Sequence, residues 1–332
     1  MKNANGAPRG MMRRTLLATG LTALAIPAIR PARAQDTWPN RTVRIVVPYA
    51  PGGGTDVTTR ALADALGKSL GQTFVVENRA GANGIVGSEG VSHSPADGYT
   101  FMVVTSTHVM TKYITAQLPF HPLNDFTPIA MTARYPLVLM TAAKSPYTSV
   151  ADLLADAKKK PGAIAQGTSD AQSSFTANQF AKRAGVDMIE IPYRGSGAYL
   201  AELTGGHLPV AWGSTATAMP LLGAGTVKVL AVSSLERSAF MPDVPTVKES
   251  GVNGAEFTGW FGMFGPAKLP AAIADKLHDA VIAAMETPEL SQRLKNLAVD
   301  AAPMTRAAFT SQLAKEDLLW QQAEKDGMLP KG

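Results

Sequence analysis

Residues 43–66 read VRIVVPYAPGGGTDVTTRALADAL. The β-branched residues Val43, Ile45, Val46 and Val47 make a short buried strand, Pro48 and Pro51 bracket a turn, three glycines follow, and helical spacing then begins. A strand, a glycine loop and a helix in that order direct the backbone N–H groups of Gly52, Gly53, Gly54 and Thr55 at whatever sits above the strand. The positive end of the helix dipole points the same way. The expected guest is an anion, which glycine lets approach the backbone closely.

Three kinds of anion site fit such a loop. A phosphate-binding P-loop needs a Lys-Ser/Thr pair after its last glycine, and Asp56-Val57 stands there instead. A dinucleotide fingerprint finds some support in Gly52-x-Gly54 and in a second strand, Phe74 to Val76, that ends in Glu77 near the place of a ribose-binding acid. Against it, bulky Val57 replaces the third glycine and two prolines stiffen the turn. A small-anion site, for a carboxylate, requires nothing that is missing.

The first 34 residues read as a leader. Arg13-Arg14-Thr15-Leu16-Leu17 opens an apolar run to Ile29, and Ala32-Arg33-Ala34 precedes an expected cleavage before Gln35. The paired arginines fit twin-arginine export, with general secretion as the alternative. A membrane anchor fits poorly, because the run is short and broken by Pro27. Six of the 31 basic residues (Lys2, Arg9, Arg13, Arg14, Arg30, Arg33) lie in this acid-free segment, which leaves 25 against 26 acidic residues in the mature chain, a net of −1. With no basic run in it, nucleic acid is not an expected partner. The absence of cysteine excludes disulfides, thiolate metal sites and a lipid-modified N-terminus. The expectation is a soluble periplasmic protein.

A mature chain of about 300 residues exceeds one ordinary core and predicts two domains. Strand and helix signals alternate, which predicts an α/β fold with mostly parallel sheets flanked by helices. Strands are expected at 73–77, 99–105, 163–167, 188–192, 208–211, 228–232 and 257–264, and helices at 84–92, 107–114, 150–159, 173–184, 198–203 and 216–222. Three more helices are expected near 270–286, 288–297 and 306–323. Two adjacent runs, Thr127 to Ala133 and Leu137 to Ala142, read as a crossing between domains.

Taken together, Trp38-Pro39-x-Arg41, VRIVVPYAPGGGTD, VENRAGANGIVG, Asp97-Gly98-Tyr99-Thr100, IPYRGSGAYLAELTGG and MPDVPTVKESG resemble the Bug-type extracytoplasmic solute receptors of tripartite tricarboxylate transporters. The resemblance covers nearly the whole mature chain. It implies a periplasmic binding protein clamshell, with residues 35–136 and 256–332 in one domain, 137–255 in the other, and the ligand cleft between them. It implies a monomer without cofactor or catalysis that captures a small carboxylate (a di- or tricarboxylate, or an aromatic or amino acid). A membrane permease of one large and one small subunit receives the ligand.

Carried over by motif, the resemblance places the proximal carboxylate at the loop Tyr49 to Asp56, aided by Gly81-Ala82-Asn83-Gly84 and Ser106-Thr107. The facing wall is expected from Gly167-Thr168-Ser169-Asp170, Tyr193-Arg194-Gly195 and Trp212-Gly213-Ser214, all at strand ends. The second loop departs from the family in having Ala80 and Asn83 where a proline and a glycine are usual. Asn83 either contacts the ligand or fills a left-handed turn. Asp56 either caps its helix or meets a hydroxyl, amine or water of the ligand. Arg194 either forks onto a second carboxylate or pairs with a surface acid.

Enzyme readings are thin. His93, His108, His121, His207 and His278 show no metal-ligand spacing, and no Gly-x-Ser-x-Gly elbow is present. Trp260, Phe261 and Phe264 fit core or hinge packing, or stacking on an aromatic ligand. A carboxylate receptor and an exported nucleotide-dependent oxidoreductase are the two functions compatible with the chain.

Overall fold

The computed structural model describes residues 38–329; the leader and the Gln35 start lie outside them. The chain runs β1 (Val43–Val47), α1 (Gly54–Leu70), β2 (Phe74–Asn78), α2 (Ile85–Ser92), β3 (Thr100–Thr105), α3 (Thr107–Ile114) and a long β4 (Phe126–Ala142). It continues through α4 (Val150–Lys159), β5 (Ala165–Thr168), α5 (Ala171–Ala184), β6 (Ile189–Pro192), α6 (Ser196–Thr204), β7 (Val210–Ser214), α7 (Thr215–Gly223) and β8 (Val227–Val232). Last come β9 (Thr258–Pro266), α8 (Ala271–Glu286), α9 (Pro288–Asn296), β10 (Asp300–Ala301) and α10 (Arg306–Lys325).

The fold is mixed α/β. The strand order is β2-β1-β3-β9-β4-β7-β5-β6, with β8 and β10 also on β4. Parallel pairing holds in the outer strands, β2-β1-β3 and β7-β5-β6. At the centre the expected parallel pattern gives way, because β4 and β9 run antiparallel to their neighbours. Helices cover both faces, which is why β3 is buried at every position and reads as an unbroken apolar run.

The two runs expected near 127–142 are one strand. Through Pro136, β4 pairs with β9; from Leu137 onward it pairs with β7 and β8. Pro136 has no N–H to give a ladder, and the strand changes partners at that residue. The return crossing is bound to the same point. Ser233 donates its N–H to Leu137 O (2.8 Å) while its Oγ accepts from Leu137 N–H (2.8 Å). The same Oγ donates to Phe257 O (2.6 Å), and Phe257 N–H donates to Ser233 O (2.7 Å).

The largest apolar cluster draws from both halves of the sheet, including Ile45, Leu66 and Phe101 on one side and Leu139, Phe180 and Trp212 on the other. Full burial of each such side chain contributes about 1.5–3 kcal/mol. Helix ends follow local chemistry: Gly71 ends α1 in the left-handed region (φ 68°), and Asp170 and Ser173 form a capping box at α5.

Candidate ligand-binding site

The loop after β1 crosses to α1 through Gly52, whose φ of 81° calls for glycine, and Gly53, the N-cap, which has no side-chain cap bond. Asp56 lies in the first turn and is 4% exposed. Its Oδ2 accepts from Gly52 N–H (2.9 Å), and its Oδ1 accepts from Asn78 Nδ2 (3.0 Å) and from the Arg60 guanidinium (2.9 Å). Burial alone would raise the carboxyl. The bonds from Arg60, Gly52 and Asn78 outweigh burial and hold it below the ordinary value, so Asp56 is an ionised brace of the loop.

Four N–H groups were expected to face a ligand, and two of them are engaged. Gly52 donates to Asp56, and Gly54 donates to Thr217 Oγ1 (3.0 Å) on the facing wall. Those of Gly53 and Thr55 have no acceptor among the described residues. A Cβ on Gly54 would collide with Ser214 Oγ, so glycine is needed there for the walls to meet.

The facing wall is built from the N-termini of α5, α6 and α7, each following a strand end. Asp170 Oδ1 accepts from Ser173 N–H (2.8 Å) at α5, and Ser214 Oγ accepts from Thr217 N–H (3.2 Å) at α7. At α6 the N-cap is Gly195, with φ 110° and no side-chain cap, so the N–H groups of Ser196 and Gly197 stay unpaired among the described residues. A Cβ on Gly195 would lie 2.6 Å from that of Ala50, so this glycine permits the close approach of the first lobe's loop.

Four helix N-termini therefore converge on an inner cavity of about 40 Å³. Two of them, at α1 and α6, are capped by glycine and leave N–H groups open, the arrangement that binds an oxyanion. Asp56 and Asp170 are the charged side chains on its wall, and no cation lines it. Burial raises the Asp170 carboxyl above its ordinary value. Tyr49, Ser169 and Gly195 also border an outer cavity of about 600 Å³ and so form a neck between the two. A third cavity of about 390 Å³ adjoins the outer one at Asn83, Ser169 and Tyr193.

A family model described as the tripartite tricarboxylate transporter family receptor matches residues 58–324. The chain belongs to this family. Protein BugT of Bordetella pertussis is 34% identical over 259 residues, covering 77% of this chain and 79% of the relative. An R. palustris protein solved with adipate superposes with a TM-score of 0.85 at 30% identity, covering 89% of this chain and all of that one. MatC from Rhodopseudomonas palustris, solved with bound malate, gives 0.81 at 27% identity, covering 86% and 99%. The protein is thus a solute-binding receptor of the tripartite tricarboxylate type, with the periplasmic binding protein fold. Among its described residues no helix is long and apolar enough to cross a membrane.

In this receptor Tyr49, Gly53, Gly54, Thr55, Asp56, Ser169, Gly195 and Ser214 line the inner cavity. Asn83, Gly84, Tyr193 and Arg194 line the outer one, and Thr168 borders the third, where its Oγ1 donates to Glu190 (2.7 Å). Asn83 does occupy a left-handed turn, at φ 54°. Arg194 is exposed and has no ion pair among the described residues.

Gly52, Ser106 and Thr107 do not line these cavities. Ser106 Oγ donates to Gln172 Oε1 (2.5 Å), joining α3 to α5, and Thr107 is fully buried. Trp260 and Phe264 pack on Phe309, whereas Phe261 stacks on Tyr135 (4.2 Å between centroids) at the cavity wall.

Sequence reasoning missed Tyr135, Ser173, Ser196, Tyr199 and Thr217. Ser196 and Tyr199 stood inside the motif IPYRGSGAYL. Ser173 and Thr217 each follow a helix-capping residue by three positions, a spacing that signals a capped helix start next to the cleft.

Proposed function

We propose that this receptor captures a small carboxylate between its lobes in the periplasm, as a monomer without cofactor, and delivers it to a membrane permease of one large and one small subunit. The observation that carries the reading is the pair of glycine-capped helix N-termini, α1 and α6, with unpaired N–H groups around a cavity lined by no cation. Such a site neutralises an anion with backbone dipoles and water rather than with a fixed positive side chain. The adipate and malate bound by structural neighbours are acids of the proposed class. Residues 35–136 with 256–332 form one moving unit in this reading and 137–255 the other, bending at the Ser233 crossing and shutting on the ligand.

The nucleotide-dependent oxidoreductase has no comparable support. Glu77, its ribose-binding candidate, is paired with Arg44 (3.3 Å) and Arg79 (2.5 Å) and lines neither the inner nor the outer cavity. A melting-shift screen of the mature protein against aliphatic dicarboxylates, tricarboxylates, amino acids, aromatic acids and a dinucleotide tests the proposal. A ligand at 100 times its dissociation constant adds about 2.7 kcal/mol to stability. A shift with at least one acid and none with the dinucleotide is expected. The reverse pattern overturns the receptor reading.

A further inference from the structure

Among the described residues four buried side-chain polar atoms lack a hydrogen-bond partner, Thr107 Oγ1, Gln172 Nε2, Thr215 Oγ1 and the phenol of Tyr199, and of these residues only Tyr199 lines the inner cavity. Its residue is 0% exposed, and its hydroxyl makes no well-formed hydrogen bond within the protein, the Ser196 side chain on the first turn of α6 being the one group that interacts weakly with it. The ring stands edge-on to Tyr193, 6.2 Å between centroids, and lines the inner cavity beside Gly213 and Ser214. Space for it is made by Gly213 on β7, with Gly167 on the neighbouring β5 in ordinary contact range. A Cβ on Gly213 would collide with the hydroxyl, and one on Gly167 would lie 3.4 Å from Tyr199 Cβ. Burial, reinforced by the charge of Asp170, outweighs the opposing effect of the Ser196 side chain and pushes the phenol well above its ordinary value, so it stays protonated and is a donor. A buried donor without an acceptor is unfavourable and rare in native interiors.

Resting on the receptor reading above, we infer that Tyr199 reads the ligand's head group: its hydroxyl donates to a carboxylate oxygen in the inner cavity, and its ring sets the depth to which that head enters. A cavity of about 40 Å³ takes a head group and not a whole diacid. The chain of the ligand therefore leaves through the Tyr49–Ser169–Gly195 neck into the outer cavity of about 600 Å³. The ligand class is an acid with a slim, unbranched chain next to the carboxylate, and acids crowded at that carbon are excluded.

Titration calorimetry of the mature protein, Tyr199→Phe and Tyr199→Ala with adipate, hexanoate and citrate tests this. The wild type is expected to bind at least one linear acid and to reject citrate. Because the hydroxyl makes no well-formed hydrogen bond in the protein, Tyr199→Phe is expected to melt, without ligand, at the wild-type temperature or above it. Its affinity for the linear acid falls between about tenfold and about a hundredfold, the scale of a hydrogen bond to a charged group. Tyr199→Ala narrows the preference over citrate. Affinity of Tyr199→Phe within twofold of wild type, or a lowered melting point without ligand, overturns the role of Tyr199 while leaving the receptor reading intact. A wild type that binds none of the three acids also overturns the linear-acid reading of Tyr199, whereas the receptor reading is tested separately by the wider melting-shift screen.

Discussion

A Cβ built on Gly53, at the start of α1, would lie 2.7 Å from Ser196 Oγ, at the start of α6. The two residues belong to opposite lips of the cleft, and each begins a helix with open backbone N–H groups. In the receptor reading, the space between them is the anion slot.

Gly53→Val fills that slot without straining the backbone, since φ is −76° and ψ 166°, values open to any residue. Binding of every carboxylate is expected to weaken by more than about tenfold, the equivalent of 1.4 kcal/mol. Thermal melting of the ligand-free variant is expected to stay close to wild type. Calorimetry showing wild-type affinity would remove this loop from the site.

Arg194 sits at the outer cavity, exposed and without an ion pair among the described residues. Any contact with the far carboxylate of a diacid is solvated, so Arg194→Ala is expected to cost adipate about 0.5–1 kcal/mol. The loss should shrink in high salt and vanish for hexanoate. Equal losses for both acids would show that Arg194 does not read a second charge.

Glu316 on α10 accepts from Trp260 Nε1 (2.7 Å) and Trp320 Nε1 (3.3 Å). Burial pushes its carboxyl up from 4.5 to about 7 against the opposing effect of those two bonds. The folded protein then holds a proton that the unfolded chain has released, so stability falls as pH rises from about 4.5 to about 7 and levels off above that. Glu316→Gln keeps an acceptor for one indole and removes the titration. Melting curves from pH 4.5 to 8 are expected to lose that slope in the variant and to run higher than wild type at pH 8. An unchanged slope would mean that Glu316 is ionised throughout.

Ser233→Ala removes the acceptor of the buried Leu137 N–H and the donor to Phe257 O. The backbone bonds between the same residues remain, so the variant is expected to fold with about 1–3 kcal/mol less stability. Urea unfolding measures the loss. A cost below 0.5 kcal/mol, within the range of an ordinary surface substitution, would show that the serine side chain does not brace the crossing.

Local chemistry made much of the architecture readable in advance. The β-branched run at Val43–Val47, the glycine at Gly71 and the capping pair Asp170 and Ser173 are short-range signals, and the corresponding elements lie within a few residues of expectation. The gap between the runs expected at 127–133 and 137–142 holds Pro136, and it closes for a physical reason. A missing N–H ordinarily ends a strand, but here it falls where β4 changes partners, and the strand continues. The site was legible at the level of loops and not of atoms. That Gly54 N–H is taken by Thr217, 163 residues away, or that Ser106 turns to Gln172, depends on how the walls close. Tyr199 was not singled out inside the helix expected at 198–203, because its significance lies in Gly213 on another strand and in the cavity that the ring lines.

Phe126–Ala142 completes the sheet of both lobes, and the main apolar cluster crosses with it. Neither half of the sheet is complete without this shared strand, so no single cut in the chain leaves both halves intact. Heat or urea is expected to melt the receptor in one transition rather than two. Inheritance meets the same constraint: loops at the cleft can be exchanged between relatives, but a lobe cannot be transplanted without taking half of its neighbour's framework along.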